Sequence, residues 1–117
     1  MTIDRRHVGN RLSALVINRA SGTAYLAGQV AADPKSDLAG QTRQVLAQID
    51  ALLVEAGSDK TKILSATIYL PDIADFAAMN ECYAKFVVDP PPARSTVQVA
   101  RLPRDARVEI DAIAMLP

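Results

Sequence analysis

The segment RVEIDAIAM, residues 107–115, decides the fold because it is apolar on both faces of a strand. On one face every alternate position is aliphatic: Val108, Ile110, Ala112 and Ala114. On the other face, Glu109 and Asp111 are followed by two more apolar residues. A strand that is apolar on both faces is usually buried on both. We therefore expect this strand inside a sheet whose two faces are both covered.

The rest of the chain alternates between strand-like and helix-like patterns. Period-two alternation and β-branched residues predict strands at residues 12–18, 23–31, 63–70 and 94–100. Apolar residues at three- and four-residue spacing predict helices at residues 38–56 and 76–86. Ser36 or Asp37 can cap the first helix, and Gly57 stands where a helix usually ends. The predicted order is β-β-α-β-α-β-β.

This order predicts an α+β fold, with one mostly antiparallel or mixed sheet and two helices on a single face. The chain of 117 residues is long enough for one core, so we expect a single domain at residues 1–117. No helix is left to cover the second face of the sheet. We expect that face to be buried against copies of the chain in a closed cyclic oligomer.

Composition and charge argue against several classes of function. The formal net charge is zero and no run of Lys or Arg occurs, which argues against nucleic acid and against an anionic membrane surface. Cys82 is the single cysteine, and no Cys/His cluster has metal-ligand spacing, so we expect no metal site. The sequence contains no apolar run of the length of a signal peptide or a membrane span, and we expect a cytoplasmic protein.

The segment DPPPARSTVQVARLP, residues 89–103, carries the main chemical signal. Three consecutive prolines fix their own φ angles and favour extended geometry, so Arg94 emerges from a stiff backbone. A guanidinium is planar and permanently charged, and its donors match both oxygens of a carboxylate. We therefore predict that Arg94 captures a small carboxylic acid.

A hairpin between the last two strands would bring a second group to this site. Alternation places Arg94, Thr96 and Gln98 on one face and turns the valines at 97 and 99 toward the core. Depending on the centre of the turn, either Arg94 or Gln98 would lie opposite Glu109, and both registers keep Arg94 and Glu109 on one face. A cation that binds the carboxylate of a substrate, beside a carboxylate that positions or deprotonates a water molecule, would suit hydrolytic deamination.

Several motifs resemble the RidA family of reactive intermediate deaminases, also called the YjgF family. They are AGQVA, QTRQVLAQIDALL, ILSATIYLPDIADFAAMN, CYAKF, PARSTVQVARLP and VEIDAIA, and they cover nearly the whole chain from Leu12 onward. The resemblance implies a chorismate-mutase-like fold and a homotrimer whose sheets form a central barrel with three clefts between subunits. It also implies hydrolysis of enamines and imines, such as 2-aminoacrylate, to 2-keto acids and ammonia without a cofactor.

The resemblance also implies roles for individual residues. Arg94 would bind the substrate carboxylate and Glu109 would hold the attacking water. The backbone at Gly28 and Thr96 would line the pocket, and Asn80 matches a family asparagine near the site. Typical members close the pocket with a tyrosine near the N-terminus, where this sequence offers Leu12 or Ser13 and no aromatic residue.

Other interpretations of the same residues stay open from the sequence alone. Arg94 could form a structural ion pair with Glu109 or another acid, and Asn80 could bridge backbone groups. The chain could also be a trimeric module that binds or senses small carboxylates without turning them over. An endoribonuclease is a third possibility. The zero net charge and the lack of a basic stripe argue against it.

Overall fold

The computed structural model describes residues 2–117 and contains one mixed sheet of six strands with two helices. Its elements in chain order are β1 (Ile3–Val8), β2 (Ser13–Asn18), β3 (Thr23–Gln29), α1 (Leu38–Glu55), β4 (Ile63–Leu70), α2 (Phe76–Phe86), β5 (Ala93–Gln98) and β6 (Glu109–Met115). The strand order across the sheet is β1-β2-β3-β6-β4-β5. All neighbours are antiparallel except β4 and β5, which are parallel. The predicted α+β fold is confirmed.

The sequence pattern missed β1, so the observed order has one more strand at its start than the predicted order. The segment IDRRHV carries charged residues at positions where an amphipathic strand would carry apolar ones. It is an edge strand paired with β2, and its charges find partners at the surface. Arg6 donates to Asp4 at 2.7 Å, and His7 Nε2 lies 2.8 Å from a carboxylate oxygen of Glu55 in α1.

The core lies between the helices and one face of the sheet. The face is built by alternate residues of four strands: Leu15, Ile17, Ala24, Leu26, Ala66, Ile68, Leu70, Ile110, Ala112 and Ala114. Val45, Ile49 and Leu53 of α1 and Met79 of α2 pack against it and are fully buried. Because β6 lies between β3 and β4, its position inside the sheet is the one that its apolar pattern predicted.

The ends of α1 follow the signals in its sequence. Asp37 caps the start, and its side chain accepts a hydrogen bond from the N–H of Gly40 at 2.8 Å. At the end, Gly57 has a φ of +80°, a left-handed conformation that glycine adopts at little cost. Its N–H donates to the carbonyl of Val54 at 3.0 Å. No helix within residues 2–117 is both long enough and apolar enough to span a bilayer.

The sheet face opposite the helices carries exposed apolar side chains on several strands. Tyr25 of β3, Val97 of β5 and Met115 of β6 retain 45%, 41% and 50% of their accessible surface. Ile113 lies directly across from Tyr25 in the register of β3 and β6. This face, hereafter the open face, has the mixed apolar and acidic composition that β6 predicted.

One buried amide joins α1 to the chain that enters β6. Gln41 is 1% exposed, and its Nε2 donates to the carbonyl of Ser36 at 2.9 Å. Its Oε1 accepts from the backbone N–H of Arg107 at 2.9 Å. Because Arg107 lies two residues before the start of β6, this side chain helps to fix where β6 begins beneath the helices.

We predict that Gln41→Leu lowers the free energy of unfolding by about 1–3 kcal/mol, because the substitution removes the buried amide that pairs with the N–H of Arg107 and the carbonyl of Ser36 in two partly buried hydrogen bonds. Urea denaturation followed by circular dichroism measures this change. An unchanged unfolding midpoint with an unchanged denaturant slope would show that the buried amide contributes nothing to stability.

Candidate functional site

Arg94 lies on the helix side of the sheet. β5 is an edge strand that runs parallel to β4, with Arg94 beside Ala66 and Thr96 beside Ile68. Side chains of residues that are adjacent across two strands point to the same face. Ala66 and Ile68 are buried under the helices, so Arg94 and Thr96 also face the helices.

The predicted hairpin between the last two strands is wrong. β4 lies between β5 and β6, and Glu109 is paired with Tyr69 of β4. After β5 the chain continues along β4, where the N–H of Val99 donates to the carbonyl of Leu70 at 3.0 Å. It then passes through a short 3-10 segment, Pro103–Asp105, instead of reversing in a tight turn.

This topology places Arg94 and Glu109 on opposite faces of the sheet. Tyr69 and Glu109 share the open face. The adjacent pair in the same register, Ile68 and Ile110, is buried on the helix side, and neighbouring residues of a strand point to opposite faces. The predicted orientation of Val97 toward the core is wrong for the same reason. Val97 is 41% exposed on the open face, whereas Arg94 and Thr96 point toward the helices.

Three side chains of α2 hold the guanidinium of Arg94. Its Nη1 donates to Oδ1 of Asn80 at 2.6 Å. Its Cζ lies 4.8 Å from the ring centre of Tyr83 and 5.6 Å from that of Phe76. Positions 76, 80 and 83 share one face of a helix, so one face of α2 supplies all three contacts with the guanidinium. We call Arg94, Asn80, Tyr83, Phe76 and Thr96 the arginine cluster.

The charge of Arg94 has no acidic partner within residues 2–117. The side chain is half-buried, and no Asp or Glu oxygen lies within 4.0 Å of its nitrogen atoms in that part of the chain. The structural ion pair with Glu109 is therefore not formed. A guanidinium held by an amide and two aromatic rings keeps donors for an anion.

Two hydroxyl groups in the arginine cluster also lack partners in the described chain. The hydroxyl oxygens of Tyr83 and Thr96 are buried, and neither makes a hydrogen bond within residues 2–117. Burial raises the pKa of Tyr83, and the positive charge of Arg94 opposes that shift. Buried polar groups are nearly always paired in native proteins, so such unsatisfied groups often occur at functional sites. The sequence pattern counted Phe76 and Tyr83 only among the apolar residues that predict the helix at 76–86. Their three- and four-residue spacing from Asn80 is the signal that places them beside it.

Glu109 lies beside Gly28 on the other side of the sheet. A Cβ atom at Gly28 would collide with the Oε2 atom of Glu109, so only glycine leaves room for this carboxylate. Gly28 lies where the register of β3 against β6 shifts, between Leu26 and Gln29. Burial, and then the negative charge of Asp111, raise the pKa of Glu109 above its usual range.

The structure thus divides the predicted site into two groups. It brings Arg94, Asn80 and Thr96 together on the helix side, and it brings Gly28 and Glu109 together on the open face. Leu12, one of the two residues that the resemblance offers in place of a tyrosine, is 62% exposed in the connection between β1 and β2, and the other, Ser13, is the first residue of β2. Within the described chain, no three His, Cys, Asp or Glu side chains are grouped to hold a metal ion.

Comparison with known proteins identifies relatives of the whole domain. The family model described as Endoribonuclease L-PSP matches residues 3–116. A RutC family protein from Pyrococcus horikoshii is 44% identical over 102 residues, which cover 82% of this chain and 81% of the relative. A protein from Capra hircus named 2-iminobutanoate/2-iminopropanoate deaminase is 38% identical over 114 residues, which cover 92% of this chain and 81% of the relative.

Solved structures show the same fold. A YjgF family protein from Neisseria meningitidis superposes with a TM-score of 0.91 at 39% identity, covering 100% of this chain and 97% of the other. A protein named RidA from an Antarctic Psychrobacter superposes with a TM-score of 0.86 at 32% identity, covering 99% of each chain. With the matched family model and these relatives, the chain belongs to the Endoribonuclease L-PSP family, also known as the YjgF/RidA family.

Proposed function

We propose that this protein hydrolyses reactive enamines and imines that carry a carboxylate, such as 2-aminoacrylate, to 2-keto acids and ammonia. The observation that carries the proposal is the half-buried guanidinium of Arg94, which has no acidic partner in residues 2–117. The relative named 2-iminobutanoate/2-iminopropanoate deaminase supports the choice of reaction.

In this proposal Arg94 binds the substrate carboxylate. Asn80 and the rings of Tyr83 and Phe76 fix the plane of the guanidinium before the ligand arrives. A guanidinium that is already held in one orientation loses little conformational entropy on binding, and it can donate two parallel hydrogen bonds to one carboxylate. Partial burial strengthens the attraction, because fewer water molecules screen it.

Glu109 is the proposed general base. Its raised pKa makes its carboxylate a stronger proton acceptor than an exposed glutamate, which suits removal of a proton from an attacking water. An enamine such as 2-aminoacrylate first gains a proton on its methylene carbon and loses one from nitrogen, which gives the imine. Water then adds its oxygen to the imine carbon while Glu109 takes one of its protons and passes it to the imine nitrogen, which gives a carbinolamine. Collapse of the carbinolamine moves its hydroxyl proton to the nitrogen through Glu109 and breaks the C–N bond, so that ammonia leaves and the C–O bond becomes the carbonyl of the 2-keto acid.

One chain cannot place both groups around one small molecule. Two strand spacings separate β5 from β6, which is about 10 Å, and the two residues are a further 10 Å or so apart along the strands. They also point to opposite faces. We therefore propose that the cleft lies between two copies, with Arg94 from one copy and Glu109 with Gly28 from the other.

A homotrimer with a central barrel fits this proposal. In such an assembly the open faces of the three sheets would turn inward, and the exposed Tyr25, Val97 and Met115 would be buried. Closed cyclic symmetry would repeat each pairing of Arg94 with Glu109 in every cleft.

Replacing Arg94 tests its role as the carboxylate site. We expect Arg94→Ala to lower kcat/KM for freshly generated 2-aminoacrylate by roughly 10- to 100-fold, the loss of one or two charge-assisted hydrogen bonds. Arg94→Lys should recover only part of this loss, because an ammonium lacks the planar fork. Formation of the 2-keto acid above the spontaneous rate is the readout.

Arg107→Ala is a matched control, because Arg107 is exposed and already contacts Asp75 at 3.3 Å. It should keep wild-type turnover. Wild-type turnover in Arg94→Ala, at an equal oligomer size, would refute the proposed role. Binding of the 2-keto acid without any acceleration by the wild-type protein would instead favour a binding module.

Gly28→Ala tests whether the position of Glu109 matters. The added methyl group collides with the end of a flexible side chain, so we expect the carboxylate to move while the fold persists. Turnover should therefore fall steeply with little change in the unfolding midpoint. Gly9→Ala is the control, since its Cβ would meet only the carbonyl of Leu12 at 3.7 Å. Unchanged turnover in Gly28→Ala would count against Glu109 as the base.

A further inference from the structure

Glu109 has an acidic neighbour that is itself tied to a tyrosine. Asp111 lies two residues further along β6 on the same open face. The hydroxyl of Tyr69 in β4 donates to Oδ2 of Asp111 at 3.1 Å. Tyr69 is also the residue directly paired with Glu109, so its side chain starts beside Glu109 and reaches diagonally to Asp111.

We propose that Tyr69 and Asp111 form a positioning pair that holds a fixed negative charge beside Glu109 and thereby sets the proton affinity of the catalytic carboxyl. This inference rests on the proposed role of Glu109 as general base. Neither Tyr69 nor Asp111 is assigned contact with the substrate, so both act through Glu109.

Two observations support a fixed negative charge. Neither Asp111 nor Glu109 makes an ion pair within residues 2–117, so no cation there cancels the repulsion between them. Two carboxylates that share one strand face favour the neutral form of one of them. Glu109 is the one whose pKa is raised, and the hydroxyl of Tyr69 holds the side chain of Asp111 in place by donating to its Oδ2.

The other groups that face Glu109 do not replace this pair. From β3 the neighbour is Gly28, which carries no side chain. From β4 the neighbour is Tyr69 itself. Along its own strand, Arg107 is two residues away, but its guanidinium reaches Asp75 of the segment before α2. Within one chain, Asp111 is accordingly the charged group that acts on the pKa of Glu109, after burial. In the proposed cleft, Arg94 of the neighbouring copy would face Glu109 across the substrate, where its charge would be met by the substrate carboxylate.

The pair gives the site a stronger base than a lone strand glutamate. Proton removal from water becomes more favourable as the pKa of the base approaches the working pH. Without Asp111, Glu109 would ionise more readily but would accept a proton from water less readily. The ionised form of Glu109 would then be present down to lower pH, but the reaction at neutral pH would be slower.

The direct test is to follow the ionisation of Glu109 by carboxyl ¹³C NMR. The chain has three glutamates, Glu55, Glu81 and Glu109, so Glu109→Gln assigns the signal by its loss. We expect Asp111→Asn to lower the titration midpoint of Glu109, because it removes a neighbouring negative charge. Asp50→Asn, which removes a carboxylate on α1, should leave that midpoint unchanged.

A second substitution tests whether Tyr69 acts through Asp111. Tyr69→Phe keeps the ring and removes the hydroxyl. We expect it to change the Glu109 titration in the wild-type background and to have no further effect in Asp111→Asn. Equal effects in both backgrounds would show that Tyr69 does not work through Asp111. No shift of the midpoint in Asp111→Asn would overturn the proposal as a whole.

The titration can be measured whether or not the protein turns over an imine, so its outcome is separate from that of the proposed function. If the protein is a deaminase, a second readout follows. The acidic limb of the profile of kcat/KM against pH should move to lower pH in Asp111→Asn, with a lower plateau. A fall in the plateau without any movement of the limb would indicate a purely structural effect of the substitution.

Discussion

The parallel pairing of β5 with β4 is the constraint on which the arrangement of functional groups depends. It places Arg94 next to the buried Ala66 and turns its side chain toward α2 instead of toward the open face. The helix then supplies an amide and two aromatic rings that orient the guanidinium. An antiparallel hairpin with β6 would have placed Arg94 beside Glu109, where the two charges could neutralise one another.

Keeping the two charges apart has a chemical consequence. Within residues 2–117 of one chain, Arg94 keeps donors for an anion, and neither Arg94 nor Glu109 forms an ion pair. In the proposed reaction, each face of the sheet would therefore carry half of the site. Assembly of identical chains is the physical means by which two such halves can meet, and the exposed apolar side chains of the open face offer a driving force for it.

Local signals in the sequence predicted most of the elements. The central strand β4 has the predicted bounds, and α1 begins after Asp37 and ends before Gly57, because caps and apolar periodicity are encoded within a few residues. β1 was missed because a charged edge strand has no apolar alternation. Its stability comes from pairing with β2 and from ion pairs with Glu55, which no local pattern displays.

Strand partnership was the main error, and it altered the site. Strands adjacent in sequence pair about two-thirds of the time, so a hairpin of β5 with β6 was the expected choice. The positive φ angles at Arg104 and Asp105 and the short 3-10 segment that contains them let the chain cross to the other side of β4. The candidate residues were thus chosen from their chemistry and from the family resemblance, but the face on which each lies depends on long-range pairing.

Mixing two impaired variants tests most directly whether the site lies between copies. Arg94→Ala and Glu109→Gln would be unfolded together, refolded at equal amounts and assayed for 2-keto acid formation from 2-aminoacrylate. Each cleft needs an intact arginine from one copy and an intact glutamate from its neighbour, so random assembly should restore about a quarter of wild-type turnover. Turnover that stays at the level of the separate variants, in mixed assemblies of normal size, would contradict a site shared between chains.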